Sequence, residues 1–421
     1  MRKDARAPMP AGRLIQVGLV AGLAACGSEP VDPDGNSIPA PDLQLIFPDV
    51  VVAGQDSLIL QLSGSDFTPL STVRVDNTDQ VTTFLTPSEL TTVIAASALA
   101  TPAARKITVF TPPPGGGTSG PKTLRVIDAA HPAGTNIQAL GIGGTPHGVS
   151  VAPNGVFCAS QITMDAISCG VVTATGQSVN STISVGAVPA HVAVNPAGTV
   201  AYTANQSSSS VSVVDLGTET VTATIDLSDG GFNLLVSPDG GRLYVTTASG
   251  TLHIIDTGTN GVLHTLPVGA AANGLAFDSV AGTLYASARD AGTVKAISAA
   301  SETVQRTYFV SSMPQRIALS LDRARLYVAN ESSGLDAVDV VSGTPTTVNT
   351  VDPQAVGLAV SPDGLQLYVC NPPLGKVQVI DASSGALLRT IPFTRPRNVT
   401  FTRDGKVALI TDETGYVMFV R

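Results

Sequence analysis

The amino-acid sequence predicts an all-β protein, in which a small β-sandwich precedes a seven-bladed β-propeller with four-stranded blades. The first observation is a repeat. "SPDGLQLYVCN" (361–371) is nearly identical to "SPDGGRLYVTT" (237–247), and seven related copies follow one another at intervals of 41–43 residues. The second is composition: glycine and proline are abundant, only 13% of the residues are charged and tryptophan is absent. Such a composition is typical of turn-rich β-proteins with aliphatic cores.

Length and charge limit the organisation of the chain and its partners. A chain of 421 residues suits two or three domains. The formal net charge is −9, whereas a protein that binds a nucleic-acid backbone needs a cationic face. We therefore expect no nucleic-acid partner.

The N-terminus has the pattern of a bacterial export signal. Residues 1–25 combine four basic residues with the apolar stretch "LIQVGLVAGLAA" (14–25), which is too short to span a bilayer. The letters "LAAC" (23–26) resemble the lipobox of bacterial lipoproteins. That resemblance implies cleavage before Cys26, diacylation of its thiol and a membrane anchor, and Gly27 implies sorting to the outer membrane. The alternative is an ordinary signal peptide with a chance cysteine.

A β-sandwich is predicted for residues 43–127, after a flexible tether (26–42) that has almost nothing to bury. Apolar and polar residues alternate here with a period of two, as in half-buried strands. The turn "GSDF" (64–67) and the glycine-rich loop "PPPGGGTSG" (112–120) resemble the IPT/TIG family of immunoglobulin-like domains. That resemblance implies a spacer or adhesive module without catalytic residues.

The repeats occupy residues 136–421, after a linker at 128–135, and each contains four short strands. In the second copy these are "HVAVN" (191–195), "AYTAN" (201–205), "VSVVD" (211–215) and "VTATIDL" (221–227). Four strands in each period are typical of a propeller blade. Seven copies therefore predict seven blades.

The second strand of several copies carries a recognisable motif. The stretches "LYVTT" (243–247), "LYVAN" (326–330) and "LYVCN" (367–371) resemble the YVTN propellers of bacterial and archaeal surface proteins. The resemblance implies the propeller fold over the whole repeat region. Two copies depart from the motif, because Phe157 in the first and Leu409 in the last occupy the tyrosine position.

The last repeat ends after its third strand, so its fourth strand must come from elsewhere. The stretch "NIQALGI" (136–142) matches "VLHTLPV" (262–268), the fourth strand of the third copy, and has no blade before it. We expect it to close the last blade, because an unclosed propeller exposes two sheet edges. A linker strand is the alternative.

Most of the repeated polar residues have a structural explanation. An aspartate that ends a strand accepts hydrogen bonds from the backbone of the next turn, and the same applies to asparagine. Repeated tyrosines are expected to pack between blades. The residues are Asp215, Asp256, Asp339 and Asp381; Asn205, Asn330 and Asn371; and Tyr202, Tyr244, Tyr285, Tyr327 and Tyr368.

Two cysteines lie on successive strands of the first repeat. Cys158 and Cys169 are equidistant from the turn between these strands. An oxidising envelope, which the lipobox implies, would allow a disulfide. The register alone does not show that the two Cβ atoms face each other, so a disulfide and two free thiols both stay open. Cys370 replaces the alanine of other copies, and we expect a buried free thiol there.

Catalytic and metal-binding motifs are missing from the sequence. The five histidines form no HxxH pair, there is no nucleophile elbow or phosphate-binding loop, and none of the six glutamates lies on an inner strand. We expect no catalytic residues, no metal and no cofactor. The fold resembles that of propeller lactonases and lyases, but those enzymes use acids, histidines or calcium around the channel mouth.

The candidate binding site is formed by the first residues of the inner strands, which begin at the channel mouth of a propeller. The side chains expected there are those of His147, His191, Asn233, Asn273, Arg316, Arg397 and Asn398. Guanidinium and amide groups in this arrangement can bind a neutral or anionic small ligand. The alternative is that these are only solvated loop residues.

The sequence therefore predicts a monomeric, lipid-anchored protein of the cell envelope, on the periplasmic or surface face of the outer membrane. Its expected role is non-enzymatic: the propeller engages a small ligand or a partner protein at the upper face. The alternative is a lactonase-like or lyase-like enzyme that acts in the channel. An electron-transfer propeller that binds a quinone or copper is disfavoured, because tryptophan and clustered histidines are missing.

Overall fold

The computed structural model describes residues 39–54, 57–113, 115–127 and 131–421. The predicted signal segment (1–25) and Cys26 lie outside these residues. Strands dominate the described part of the chain, in which one α-helix (Ala96–Leu99) and one 3-10 turn (Ile162–Met164) are short exceptions. No helix in this part is long and apolar enough to cross a membrane.

Two sheets form the N-terminal part of the described chain. Their strands are β1 (Asp42–Phe47), β2 (Val50–Val52), β3 (Leu58–Ser65), β4 (Thr72–Val75), β5 (Thr78–Asp79), β6 (Thr82–Thr86), β7 (Glu89–Ile94), β8 (Ala103–Thr111), β9 (Gly117–Thr118) and β10 (Lys122–Ile127). One sheet has the order β1–β3–β7–β6, and the other has the order β2–β10–β8–β4–β5 with β9 beside β8. Leu60 and Leu62 of the first sheet share one core with Ile107 and Val109 of the second, so the two sheets form a β-sandwich.

Burial in the sandwich follows the alternation of the sequence. In β3, Leu60 and Leu62 are buried, whereas the intervening Ile59 is 64% exposed. One face of the strand therefore meets the core and the other meets solvent. Near the end of β3, a Cβ atom on Gly64 would overlap the carbonyl oxygen of Asp42 and the ring of Phe67. Only glycine allows β1 and β3 to approach this closely at the turn.

Seven four-stranded antiparallel sheets follow. The first four contain β12 (Pro146–Val151), β13 (Val156–Gln161), β14 (Ala166–Val172) and β15 (Gln177–Ser184); β16 (Pro189–Val194), β17 (Val200–Asn205), β18 (Ser210–Asp215) and β19 (Thr220–Asp226); β20 (Gly231–Val236), β21 (Arg242–Thr247), β22 (Thr251–Asp256) and β23 (Val262–Pro267); β24 (Ala272–Asp278), β25 (Thr283–Ala288), β26 (Thr293–Ser298) and β27 (Thr303–Phe309). Each is ordered as its strands follow in the chain.

The remaining three sheets repeat this plan, except that the last takes a strand from the start of the repeat region. They contain β28 (Pro314–Leu319), β29 (Arg325–Asn330), β30 (Gly334–Asp339) and β31 (Pro345–Thr347); β32 (Gly357–Val360), β33 (Gln366–Asn371), β34 (Lys376–Asp381) and β35 (Leu387–Pro392); and β36 (Pro396–Phe401), β37 (Ala408–Asp412), β38 (Tyr416–Val420) and β11 (Ile137–Gly141). β11 pairs antiparallel with β38, with Ile137 opposite Val420.

The first strands of the sheets form a closed ring. β12 lies against β16, and the contacts continue through β20, β24, β28 and β32 to β36, which lies against β12 again. This arrangement is a β-propeller with its inner strands around the central channel. Because β11 covers the free edge of β38, the last sheet has four strands like the others.

Repeated side chains hold the sheets together, as the sequence predicts. Tyr202 packs against Leu234 and Leu243 of the next sheet. The Oδ1 atom of Asp256 accepts hydrogen bonds from the backbone N–H groups of Gly258 (3.1 Å) and Thr259 (2.9 Å). The aspartates at 215, 339 and 381 make the same kind of contact with the turns that follow them.

The cysteines of the propeller are accounted for. Cys158 and Cys169 lie opposite each other on β13 and β14 and form a disulfide with an S–S distance of 2.13 Å. The sequence left a disulfide and two free thiols open, and the structure has the disulfide. Cys370 is a buried free thiol, as expected, and burial raises its pKa.

Arg323, in the turn between β28 and β29, joins the propeller to the sandwich. Its Nε atom lies 3.0 Å from Oδ1 of Asp278 in the propeller. Its Nη2 atom donates to Oδ1 of Asp49 in the sandwich (3.2 Å), and its guanidinium lies 4.3 Å from the ring centre of Phe47. These contacts place the sandwich at the end of the propeller opposite to the starts of the inner strands.

Candidate functional site

Two layers of side chains surround the channel where the inner strands begin. The upper layer consists of the second residue of each repeat's inner segment: His147, Ala190, Phe232, Asn273, Gln315, Val356 and Arg397. The lower layer consists of the residue after each of these: Gly148, His191, Asn233, Gly274, Arg316, Gly357 and Asn398. The upper layer borders one cavity, and the polar side chains of the lower layer border another.

A β-bulge near the start of the inner strands explains why consecutive residues both face the channel. In six of the seven sheets the pairing of the inner strand with the second strand slips by one residue at this point, as between Pro189 and His191 of β16. A bulge places two residues of one strand opposite one residue of its partner. Ala190 and His191 can therefore both point inward, at different depths.

The upper cavity has a volume of about 350 Å³ and opens at the channel mouth. All seven residues of the upper layer line it, together with Arg316 from the lower layer. Further side chains reach it from the residues that follow the second strands: Ile162, Gln206, Arg289 and Glu331. Two columns of the repeat therefore line the cavity: the second residue of the inner segment and the residue that follows the second strand.

Sequence reasoning missed the residues that follow the second strands. Gln206, Arg289 and Glu331 directly follow β17, β25 and β29, so they occupy one column of the repeat. That column could have been read from the sequence, because each of these residues comes next after the repeated Asn or its equivalent. Gln315, the neighbour of Arg316, was also missed. A search for glutamates on the inner strands alone overlooked Glu331, which reaches the cavity from the position after a second strand.

A hydrogen-bonded chain fixes one side of the upper cavity. Arg289 donates from Nε to Oε1 of Glu331 (3.1 Å) and from Nη2 to Oε2 (3.0 Å). The Nε2 atom of Gln315 donates to the same carboxylate, and Nδ2 of Asn273 donates to Oε1 of Gln315. The hydrogen bond to Glu331 is the main cause of a raised pKa for Arg289. The charge of Glu331 is thus compensated within the cavity wall.

Two other arginines border the upper cavity, and their positive charges have less contact with carboxylates than that of Arg289. The Nη1 atom of Arg397 lies 3.7 Å from Oε1 of Glu413, whose other oxygen accepts from Nε of Arg395 (2.8 Å). Arg316 has no hydrogen-bond or ion-pair partner among the residues that the structure describes. Burial, followed by the positive charge of Arg397, lowers the pKa of Arg316 to about 9. Its guanidinium is therefore charged at neutral pH, without a carboxylate partner in the described part of the chain.

His147 is a neutral member of the upper layer. Its Nδ1 atom lies 2.7 Å from the carbonyl oxygen of Ala190, which can only accept, so the proton sits on Nδ1 and Nε2 is an acceptor. Burial, and next the charge of Arg397, lowers the pKa of His147 to about 3. The imidazole is therefore uncharged over the physiological range.

His191 and Asn398 meet in the lower layer, with Nδ2 of Asn398 lying 2.9 Å from Nε2 of His191. The Nδ1 atom of His191 is buried and has no hydrogen-bond partner in the described part of the chain. Burial lowers the pKa of His191 well below its ordinary value, and the charge of Arg316 acts in the same direction. This imidazole is therefore neutral as well.

The seven residues predicted for the mouth thus divide between two cavities. His147, Asn273, Arg316 and Arg397 line the upper cavity. His191, Asn233 and Asn398 line a lower cavity of about 300 Å³, and Arg316 lines this one too. Arg316 is therefore the side chain that the two cavities share.

The repeat region also matches a known family. Residues 135–413, more than half of the chain, match the model of the YNCE-like β-propellers. The chain belongs to the YNCE-like β-propeller family. Both layers of this YNCE-like propeller lie within the matched segment, whereas the sandwich precedes it. No curated protein matches the chain significantly.

A solved structure resembles this YNCE-like propeller in fold. It is the hydrazine synthase of Kuenenia stuttgartiensis, with a TM-score of 0.60 and 21% sequence identity. The similarity covers 66% of this chain and 95% of the other. At this identity the similarity concerns the fold alone.

Another cavity of the YNCE-like protein, about 660 Å³ in volume, lies between the sandwich and the propeller. Its walls include the apolar side chains of Phe47, Val51 and Ile59. Charged residues line it as well, among them Asp322, Arg325 and Asp363. Among the described residues, no group of three or more His, Cys, Asp or Glu is placed to hold a metal ion.

Proposed function

We propose that this protein is a lipid-anchored binding protein of the cell envelope, whose propeller holds a small anionic ligand at the channel mouth without catalysing a reaction. The observation that carries the proposal is the position of Arg316 and Arg397, which border one cavity while Arg316 has no acceptor among the described residues. A charged guanidinium that borders a cavity without a protein acceptor can bind a carboxylate or phosphate through two parallel hydrogen bonds.

The local charge agrees with an anionic ligand. The chain is acidic overall, with a formal net charge of −9. The upper cavity nevertheless has three arginines, Arg289, Arg316 and Arg397, and a single lining carboxylate among the described residues, that of Glu331. Because Glu331 is bonded to Arg289, the excess positive charge lies at Arg316 and Arg397. A cavity wall that concentrates one sign of charge attracts ligands of the opposite sign.

The same groups favour binding over catalysis in a lactonase-like or lyase-like propeller. A general base works best when its pKa lies near the operating pH. His147 offers an unprotonated Nε2 atom, but its pKa of about 3 makes it a weak base at neutral pH. Glu331, the carboxylate that lines the cavity, is already held by Arg289 and Gln315. These groups are arranged to orient a ligand rather than to move its protons.

The remaining parts of the proposal concern how the propeller is presented. We infer seven YVTN-type blades from the seven four-stranded sheets, and an IPT/TIG-like spacer from the sandwich. Cys26 would carry the lipid and residues 26–42 would form the tether to the outer membrane. The disulfide between Cys158 and Cys169 is compatible with this location, because such bonds persist in oxidising compartments.

A thermal-shift screen tests the proposal. Small organic acids, phosphates and neutral sugars are added to the full-length protein and to an Arg316→Ala/Arg397→Ala double variant. Each charged hydrogen bond contributes roughly 1.5–3 kcal/mol, so the double variant should bind anionic hits at least about tenfold more weakly. Arg403→Ala is the matched control, because Arg403 is exposed in the turn after β36, at the opposite end of the last sheet.

The screen also separates the alternatives. Hits that bind the double variant as tightly as the wild type would place the site elsewhere and overturn the proposal. A separate hydrolysis assay on the same two proteins tests the enzyme: turnover of a lactone or another ester by the wild type, abolished in the double variant, would favour it instead.

A further inference from the structure

The lower layer has a composition that the upper cavity does not explain. It alternates four polar side chains, those of His191, Asn233, Arg316 and Asn398, with three glycines. The polar side chains come from four different sheets and line the same cavity of about 300 Å³. Neither an aspartate nor a glutamate lies among the described residues that line it.

The glycines of this layer are required by close approach of neighbouring inner strands. A Cβ atom on Gly148 would lie 2.5 Å from Cδ2 of His191 and 2.7 Å from its Cα. A Cβ atom on Gly357 would lie 2.5 Å from the carbonyl oxygen of Arg397. Real Cβ contacts are not this short, so side chains are excluded at these positions. Of the seven positions in the lower layer, only the four polar ones therefore carry side chains.

The orientation of Asn398 fixes the proton on His191. The Oδ1 atom of Asn398 accepts from the backbone N–H of Val399 (2.9 Å), so its Nδ2 atom is the one that faces His191. That amide donates to Nε2 of His191 at 2.9 Å. The proton of the neutral imidazole must then be on Nδ1, which is buried and lacks a partner among the described residues. His191 therefore offers an unused donor.

Asn233 is oriented in the same way as Asn398. Its Oδ1 atom accepts from the backbone N–H of Leu234 (2.9 Å), which leaves its Nδ2 group as a donor. Arg316 can only donate, and it has no acceptor in the described part of the chain. The amide of Asn398 has a second hydrogen besides the one given to His191. All four side chains of the layer thus retain hydrogen-bond donors.

We propose that the lower layer is an anion site, in which a single oxyanion, such as a phosphate or carboxylate group, is held by Arg316, His191, Asn233 and Asn398. A buried donor normally has an acceptor, whereas the buried Nδ1 donor of His191 has none among the described residues. Donors of Asn233, Arg316 and Asn398, from three other sheets, line the same cavity. An oxyanion supplies several acceptor lone pairs and the negative charge that Arg316 lacks. The proposal rests on the proposed function and refines it, because the acidic group of the ligand would pass Arg316 and lie below the upper cavity.

The test compares two isosteric substitutions in the full-length protein, with inorganic phosphate and acetate as probes. Asn233→Asp keeps the acceptor for Leu234 but places a carboxylate in the lower layer. Asn273→Asp makes the same charge change in the upper layer, next to Gln315. Thermal unfolding is measured with and without each probe, and isothermal titration gives the dissociation constant.

For the wild type we expect the midpoint of unfolding to rise by about 4 °C at a probe concentration of a hundred times the dissociation constant. Asn233→Asp should abolish this rise, because its carboxylate occupies the place of the anion. It should also raise the midpoint in probe-free buffer, because Arg316 gains a partner. Asn273→Asp should weaken binding by about three- to tenfold, because its charge lies in the cavity above, and should keep a measurable rise.

The other outcomes overturn the inference in distinguishable ways. A rise that is lost in Asn273→Asp but kept in Asn233→Asp would place the anion in the upper cavity, which leaves the proposed function intact. Equal loss in both variants would show only a general effect of charge and would remove the case for a lower site. If neither anion stabilises the wild type and the screen of organic acids also finds no hit, both the inference and the proposed function fail.

Discussion

The amide nitrogen of Asn398 lies 2.9 Å from Nε2 of His191, although 207 residues separate them in the chain. These residues belong to the last sheet and the second sheet of the propeller, and the first sheet lies between the two. The contact crosses the first sheet because Gly148 has no side chain at that level. The hydrogen bond is therefore a direct consequence of ring closure and of one glycine.

Replacement of this glycine should disrupt the lower layer. In Gly148→Ala the new Cβ atom would collide with the ring of His191 and displace it from Asn398. Overpacking of this kind lowers the free energy of unfolding by about 1–3 kcal/mol. Urea unfolding of the variant and the wild type measures the difference. Gly176→Ala is the control, because the nearest atom to its Cβ would be 3.9 Å away. Equal stability of the two variants would show that the channel adapts and that the contact is not closely packed.

The closing strand should be essential for a stable propeller. Replacing Ile137–Gly141 with Gly-Ser-Gly-Ser-Gly removes the side chains of β11 that accompany its pairing with β38. The exposed edge of β38 would promote aggregation, and the midpoint of thermal unfolding should fall. The same five residues substituted at 30–34, in the predicted tether, form the control. A closing-strand variant that melts like this control would mean that the ring does not depend on β11.

The sequence predicts much of the fold because the repeat makes each strand visible seven times. The turn-capping role of Asp256 and the packing of Tyr202 follow from their repeat positions, and the structure confirms both. The depth of His191 and Asn398 in the channel does not follow in the same way. Strand periodicity places neighbours on opposite faces, whereas the bulge turns both inward. A bulge depends on pairing with another strand, which one sequence does not display.

The contribution of Glu331 and Arg289 to the cavity wall was missed for a different reason. Each follows the end of a second strand and reaches the cavity from a neighbouring sheet, 42 residues away from its partner. Sequence reasoning that considered inner strands alone could not bring them together. Reading every column of the repeat for polar residues would have identified both as candidates.

Membrane attachment should depend on Cys26. In Cys26→Ser the lipobox lacks its acceptor thiol, so the protein should leave the membrane fraction and appear in the soluble envelope fraction. Fractionation followed by a carbonate wash measures this, with Ser28→Ala as the control that retains the cysteine. A serine variant that resists the wash would contradict the lipoprotein interpretation.

Stability should fall at acidic pH because His147 is held neutral. Burial and the charges of Arg397 and Arg316 set its pKa to about 3, below the ordinary value of 6.5, while the hydrogen bond to Ala190 opposes them. Between these values the unfolded chain binds one more proton than the folded chain, so stability rises with pH across this window. Above pH 6.5 the group has no effect.

The variant His147→Asn isolates this contribution, because its amide can still donate to the carbonyl oxygen of Ala190. Between pH 7 and pH 4.5 the wild type should lose about 2–3 kcal/mol more unfolding free energy than the variant, since one pKa unit corresponds to about 1.4 kcal/mol. Urea unfolding at both pH values measures the difference. The lowered pKa of His191 acts in the same direction and is common to both proteins. Parallel losses in the two proteins would contradict the neutral state of His147.

Removal of the acid in the upper cavity should affect stability and anion binding in opposite directions. Glu331→Gln retains the shape of the side chain but removes the two-bond ion pair with Arg289, which keeps only its contact with Asp290 (3.2 Å). The unfolding free energy should fall by about 1–3 kcal/mol, because hydrogen bonds to a charged group are lost. The cavity wall then has three arginines and no lining carboxylate among the described residues, so phosphate should bind about three- to tenfold more tightly, which corresponds to roughly 1 kcal/mol. Glu302→Gln is the matched control, since its carboxylate contacts His264 away from the cavity at 3.0 Å. Titration calorimetry on both variants decides the matter: if Glu331→Gln binds phosphate no more tightly than Glu302→Gln does, the anion does not experience the charge of this cavity.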